Sequence, residues 1–429
     1  MRLFGNFVPI PVLVICGAVA ASLFGDSMLY AVMPSRPEDW GLSIGLVGIL
    51  LSANRLVRLV SNSVAAQLFA WFGPRPPFAA AMIVAVLTTA SYGWVTTFWV
   101  LLLARMAWGV CWSILRLGAW LTVLNEADDA NRGFLMGIYS SVARSGSLVG
   151  VAAGGVLTDS IGHKWTLTIF AVATAVGGVV WFITSASRQS ILAQESRQPE
   201  GHVAADGASD TASNREALRT VLRDRQLLSV GLGGMAGMLV FSGLLTASLG
   251  FYLDERFGDE IGIGGLAIGV ASFTGIALGV RFGIDLILAP VSGRLSDRLG
   301  RTPVILTAFG LGAVGLLGLA TSPPIGIVVI MVTLAFVSST ALIVLLHARA
   351  GDLAPVARRA AVLSVYATFL DLGSALGPLI GLSVGTLGAL RWAFVAGAIA
   401  LLLMAVIYRR VGRGEPVPTA VEVERRISR

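Results

Sequence analysis

Twelve apolar runs organise this chain, six before and six after a polar middle. Crossing a bilayer takes about 20 residues at a helical rise of about 1.5 Å. Lipid offers a backbone amide no partner, so each run closes its own hydrogen bonds as a helix. We place the first six at Pro11–Val32, Leu42–Phe69, Phe78–Tyr92, Trp99–Val123, Phe134–Val156 and Trp165–Thr184. The second six are Leu228–Tyr252, Leu266–Val291, Val304–Ala320, Ile325–Leu346, Ala361–Leu387 and Trp392–Tyr408. The expected architecture is an all-α membrane protein with two six-helix halves, 1–184 and 227–410. A cytoplasmic linker at 185–226 and a cytoplasmic tail at 411–429 complete it. A composition 55% hydrophobic and 13% charged lies far from the usual soluble mix.

The halves repeat each other at a shift of 227 residues. Tyr139, Gly146, Ser147, Gly150 and Gly154 fall on Tyr366, Gly373, Ser374, Gly377 and Gly381. Arg132 meets Arg359, Gly73 meets Gly300 and Pro76 meets Pro303. Two intramembrane charges meet charges of opposite sign, Arg58 on Asp285 and Arg144 on Asp371. Secondary transporters are built this way, from two repeats that rock about a central site.

Charge placement orients the chain. Of 31 Arg and Lys, 21 fall in the expected cytoplasmic segments, 4 in outside loops and 6 inside spans. That is the positive-inside bias, with both termini cytoplasmic. The formal charge of +7 therefore faces lipid and cytosol, and nucleic acid is not an expected partner. Ala18-Val19-Ala20 resembles a signal-peptidase site, yet the apolar run continues past it to Val32 and is read as a retained first span. In the linker, Gln194–Thr211 is polar and charge-mixed, as disordered segments are. Ser213 and Glu216 have capping-box spacing before Ala217, Leu218, Val221 and Leu222, which predicts a short surface helix. The linker reads as a tether.

Enzymatic chemistry finds no foothold. Cys16 and Cys111 lie in spans without ligand spacing, and His163, His202 and His347 are scattered, so neither a metal nor a cofactor is expected. Gly231-Leu-Gly233-Gly234 and Gly262-Ile-Gly264-Gly265 are lone glycine runs at helix ends rather than phosphate cradles. Without an ATP site, transport would run on an ion gradient or the solute's own gradient.

Between spans eight and nine stands Gly293-Arg-Leu-Ser-Asp297-Arg298-Leu-Gly300-Arg301. It resembles, residue for residue, the G-x-x-x-D-R-x-G-R signature of the major facilitator superfamily. The resemblance covers the whole chain and implies twelve transmembrane helices in two pseudo-symmetric bundles around a midplane cavity. It also implies that this loop latches the cytoplasmic side, with Asp297 approaching the start of span five near Arg132. The first-half copy is eroded, with Ala66, Ala70, Trp71 and Pro74 at signature positions; Gly73 survives, and Arg75 comes one place late.

A second resemblance is to the drug:proton antiporter branch. Gly137, Gly146, Gly150, Gly154 and Gly155 have the spacing of its fifth-helix motif, with Val151 where proline is usual. Span eleven carries that proline, as Gly377-Pro378-Leu-Ile-Gly381. The bottom-up reading of both stripes is close helix packing through small residues. Asp26, Tyr30 and Pro34 resemble the branch's acidic first-helix motif, and Arg105 with Gly109 its fourth-helix motif, where arginine serves proton coupling. Burial favours a neutral acid and a nearby guanidinium favours the carboxylate, so moving Arg105 would switch Asp26. A static ion pair between spans one and four is the alternative.

Arg105 and Arg116, eleven residues apart, share a helix face with Trp112 between them and Trp108 close by. With Arg55 they are candidates for the substrate cavity; packing is the plainer reading for the tryptophans. Six intramembrane arginines (Arg55, Arg58, Arg105, Arg116, Arg144, Arg281) face three acids, Asp26, Asp285 and Asp371. Buried charge is expensive, so this excess suits an anionic or zwitterionic small solute. The repeat predicts two inter-half ion pairs, Arg58 with Asp371 and Arg144 with Asp285, with Arg281 as a local alternative partner for Asp285. The expected function is transport of a small organic solute across a bacterial inner membrane by a monomer working through alternating access. Proton-coupled export leads; uptake or exchange of an organic anion, and a non-transporting sensor or scaffold, remain alternatives.

Overall fold

The computed structural model describes residues 2–3, 6–126, 132–195, 218–263, 266–355, 359–383 and 387–412. Twelve long helices follow one another there. The first six are α1 (Ile10–Val32), α2 (Ile44–Phe72), α3 (Arg75–Trp94), α4 (Phe98–Glu126), α5 (Arg132–Ile161) and α6 (His163–Glu195). The second six are α7 (Arg225–Phe257), α8 (Val270–Leu299), α9 (Arg301–Ala320), α10 (Ile325–Leu353), α11 (Arg359–Ser383) and α12 (Leu387–Gly412). Ten of these are long and apolar enough on composition alone to cross a membrane. The other two, α5 and α8, are repeat counterparts of α11 and α2, which are among the ten.

Helix boundaries follow local chemistry. Pro11 in α1 and Pro76 in α3 stand in the first turn, where a missing N–H costs nothing. Gly73 (φ +76°) and Gly300 (φ +88°), repeat counterparts, make the abrupt breaks before α3 and α9 in a conformation that favours glycine. The seventh helix starts three residues before the expected Leu228: Asp224 caps it, accepting from the amides of Gln226 (2.7 Å) and Leu227 (3.2 Å). Residues 218–223 form a short helix whose Val221 is buried with Leu227, Val362 and Val365. Ser213 and Glu216, the expected capping box, lie outside the described residues, as does most of the segment expected to be disordered; α6 itself runs on to Glu195.

Two compact units emerge. One takes Met1–Leu42, Leu56–Gly207 and Asp259–Gly279; the other takes Ser43–Arg55, Ala208–Gly258 and Val280–Arg429. Both α2 and α8 therefore contribute to each unit. In the first unit α5 lies along α1: a Cβ at Gly146, Gly150 or Gly154 would overlap Ala20, Phe24 or Met28. In the second, α11 lies along α7, with Gly373 against Met235 and Gly377 against Leu239 and Gly243. These contacts align α1 with α7 at a shift of 215 (235 − 20, 239 − 24), not at the 227 of the later helices. Position 26 of α1 thus falls on Phe241 of α7, beside Ser242.

Candidate functional site

In the first unit Asp26 and Arg105 meet. Arg105 Nη1 donates to Asp26 Oδ1 at 2.5 Å, with Arg105 fully buried and the Asp26 side chain 14% exposed. The guanidinium also lies over the rings of Tyr30 (5.6 Å) and Tyr92 (5.7 Å), and its Nη2 reaches Tyr30 Oη at 3.5 Å. Tyr92 is fixed in turn, its hydroxyl donating to the Ala104 carbonyl and its own carbonyl accepting from Trp40 Nε1. A buried arginine needs such a shell, because a lone charge there would be prohibitive.

One helical stretch further along α4, Arg116 Nη2 donates to Asn62 Oδ1 of α2 at 3.0 Å, and Ser113 donates to the same oxygen at 2.8 Å. Arg116 stacks on Trp120 at 5.4 Å. The expected alternation of Arg105, Trp112 and Arg116 becomes something more specific: Trp108 is buried, Trp112 half-buried, and Trp120 is the stacking partner. Asn62 was not anticipated from the sequence.

Arg55 belongs to the second unit, where two helix irregularities explain its contacts. Pro378 has no N–H, so the carbonyl four residues back, that of Ser374, loses its usual partner. Over Met238–Leu245, α7 winds as a π-helix, and the Thr246 amide reaches Phe241 and Gly243 instead of Ser242. Arg55 Nη1 donates to both carbonyls, Ser242 O at 2.8 Å and Ser374 O at 2.6 Å. A guanidinium with several donors suits two carbonyls displaced from helical bonding. The signal for half of this was legible in advance, since an interior proline always leaves a carbonyl behind.

Arg281 of α8 converges on the same stretch. Its Nη2 donates to Ser242 Oγ (2.8 Å) and its Nη1 to Thr246 Oγ1 (2.6 Å), and it lies over the Phe336 ring at 5.6 Å. One turn on, Asp285 accepts from the Thr340 hydroxyl of α10. Of the charges that the repeat couples, Arg58, Asp285 and Asp371 are half-buried and Arg144 is exposed.

Of the signature loop, Gly300 shows the left-handed conformation, Arg298 is exposed, and Arg301 grips Asp352 with Nε–Oδ2 at 2.9 Å and Nη2–Oδ1 at 3.3 Å. That bidentate pair ties the start of α9 to the end of α10. Gly293 and Asp297 lie on α8, and the surroundings of Gly293 and of the Asp297 side chain are not among the described ones. The glycines of both antiporter-like stripes, Gly146, Gly150, Gly154, Gly155, Gly377 and Gly381, stand at close helix approaches.

A further cluster in the first unit escaped the sequence reading. Asp159, near the end of α5, accepts from the Ser272 amide at 2.7 Å and pairs with Arg36 at 2.8 Å. It thereby caps the N-terminus of α8, where a carboxylate is favoured. It lines a cavity of about 420 Å³ with Arg36, Glu38, Asp39, Asp259 and Glu260. These residues come from three separate stretches of the chain and have no motif to announce them.

The family profile of the Major Facilitator Superfamily matches residues 15–284 and 272–427. The chain is 26% identical over 308 residues to the "Multidrug resistance protein MdtG" of Klebsiella pneumoniae (strain 342), covering 68% of this chain and 66% of that protein. It thus spans slightly less than two thirds of that relative's length. Among solved structures, the bacterial homolog of the human lysosomal transporter Spinster aligns with TM-score 0.70 at 17% identity, over 94% of this chain and 96% of that one. The nucleoside transporter NupG aligns with TM-score 0.72 at 13% identity, over 94% and 99%. At such identities the structures speak for the fold, and the profile, covering most of the chain, speaks for the family. This chain belongs to the major facilitator superfamily and is a multi-pass membrane protein.

Proposed function

We propose that this protein exports a small organic solute across the bacterial inner membrane in exchange for protons, with both termini cytoplasmic. The observation that carries the reading is the Asp26–Arg105 pair, a carboxylate and a guanidinium at 2.5 Å between α1 and α4. Asp26 takes a proton when Arg105 swings away and gives it up when the pair re-forms, since the guanidinium stabilises only the charged acid. Arg105 thus reports the state of Asp26 to α4, and through α4 to Trp112 and Arg116. With Arg55, these are the residues we assign to the solute path. The likeness to a multidrug resistance protein supports export over uptake. The signature loop, with Asp297, is assigned to cytoplasmic latching.

The deciding experiment uses the full-length protein in liposomes with an imposed proton gradient. Asp26→Asn is expected to abolish gradient-driven flux while leaving solute exchange, which needs no net proton movement. Loss of both, with poor membrane yield, would show that the pair only holds α1 to α4.

A second reading, uptake or exchange of an organic anion, is favoured by the arginines gathered on α7: Arg55 and Arg281 both engage Ser242. Exchange without any dependence on the proton gradient in the native protein would select it.

A further inference from the structure

We propose that the outer loop Arg36–Trp40 couples the Asp26–Arg105 pair to a latch in which Asp159 holds the start of α8. The inference rests on the proton-coupling reading and gives its pair a structural target. Every residue involved belongs to the first unit. The loop follows α1, which carries Asp26, and ends in a 3-10 turn over Pro37–Trp40. Trp40 is fully buried, and its Nε1 donates to the Tyr92 carbonyl at 2.6 Å. That carbonyl stands in the last turn of α3, where the helix itself supplies no donor. The Tyr92 ring in turn lies 5.7 Å from the Arg105 guanidinium, and Arg105 bonds Asp26 at 2.5 Å. Trp40 is thus a positioning residue for Arg105, acting through Tyr92.

The same loop reaches the latch at its other end. Arg36 Nη2 lies 2.8 Å from Asp159 Oδ1, an oxygen that receives no directed hydrogen bond from a described residue, so charge holds the two together. Asp159 Oδ2 accepts from the Ser272 amide at 2.7 Å, in the first turn of α8. The close approach of Gly155 to Ala271 and Ser272 lies beside it. His163, at the start of α6, seats the turn between these two ends. Its Nδ1 lies 3.3 Å from Asp39 Oδ2, and its ring centroid 4.5 Å from that of Trp40.

The charges around Asp159 make the latch releasable. Its cavity of about 420 Å³ is also lined by Glu38, Asp39, Asp259 and Glu260, with Arg36 as the one cation among the described lining residues. A largely buried carboxylate that loses its partner is strongly destabilised, and here four more acids face it. When Asp26 is neutral, Arg105 loses the charge that holds it beside the Tyr92 ring. The end of α3 and Trp40 then shift, and the loop draws Arg36 off Asp159. Left without their cation the acids repel, and α5 parts from the start of α8. Protonation of the pair thereby opens the end of the helices from which, in the orientation proposed above, the proton arrives.

The test is the rate at which a water-soluble maleimide labels Ser272→Cys in the full-length protein held in lipid nanodiscs. Ser272 is buried, as are Cys16 and Cys111, so labelling reports opening at the latch. Asp26→Asn, which mimics the neutral acid, is expected to speed labelling about fivefold or more. Adding Trp40→Phe, which keeps a ring but removes the donor, should make residue 26 irrelevant, with the rates with and without Asp26→Asn falling within about twofold. A role of Trp40 in packing alone would change both rates alike and preserve their ratio, as Trp181→Phe, at a buried tryptophan outside this set, should do. If either variant does not fold, Arg105→Lys, which withdraws the planar group from the Tyr92 ring, replaces Asp26→Asn. Arg36→Gln, which cuts the loop from Asp159, likewise replaces Trp40→Phe, with the same expected ratios. An unchanged rate in Asp26→Asn, or a ratio that survives in folded Trp40→Phe or Arg36→Gln, would overturn the proposal. Labelling needs neither solute nor gradient. Loss of gradient-driven flux in Asp26→Asn with unchanged labelling would therefore count against this loop alone, whereas flux that survives Asp26→Asn counts against the coupling scheme.

Discussion

Arg105 shows what a single residue contributes. It is fully buried, bonded to Asp26 and flanked by two tyrosine rings. Removing one member of a buried pair strands the other, at a cost of about 3–5 kcal/mol. Arg105→Gln is therefore expected to lower the melting temperature of the purified protein more than the double change Arg105→Gln with Asp26→Asn. Equal destabilisation by the single and double variants would mean that the pair contributes little to holding α1 on α4. That Asp26 faces Arg105 was legible in the sequence through the resemblance of two short motifs. That Arg116 turns to Asn62 was not, because an asparagine in a neighbouring helix has no signature.

At the scale of elements, glycine decides how closely helices lie. A Cβ on Gly155 would overlap the backbone of Ala271 and Ser272, so Gly155→Ala must push α5 from the start of α8. Overpacking of this kind costs about 1–3 kcal/mol, read as a lower melting temperature. Gly137, in the same helix and the same motif, has open space around it. Gly137→Ala should instead be neutral, or stabilise by up to about 1 kcal/mol through helix propensity. If both variants melt alike, the motif's glycines are not distinguished by packing. The motif spacing made the two look equivalent; only the position of the neighbouring helix separates them. The irregularities of α7 and α11 are element-scale features too. Pro378 was visible in the sequence and the π stretch was not, since nothing in Met238–Leu245 distinguishes one helical winding from another.

For the whole molecule, the repeat makes a statement that no single helix can. We propose that Arg58 pairs with Asp371 and Arg144 with Asp285 at one stage of the transport cycle. Either Arg144→Asp or Asp285→Arg alone should abolish transport, and the two together should recover it in a liposome flux assay. Failure of the swapped pair, with both single variants inactive, would leave Thr340 and Arg281 as the residues that matter to Asp285. The number of helices, most of their starts to within a few residues, the twofold repeat and the family were all set by the sequence alone, whereas α6, α8 and α10 run on to Glu195, Leu299 and Leu353, seven to eleven residues past the expected ends. Each rests on local sums: apolar length decides which segments enter the bilayer, and glycine or proline decides where they stop. Tertiary structure alone decided which groups meet. It set α1 and α7 at a shift of 215 where the later helices repeat at 227, gave Arg55 two displaced carbonyls, and brought Arg281 to Ser242 and Thr246. The reason is physical. In lipid the apolar faces of helices are nearly interchangeable, so axial shift and rotation are fixed by close small-residue contacts and polar bonds between helices. Those terms depend on distances between segments far apart in the chain, which residue order does not encode locally.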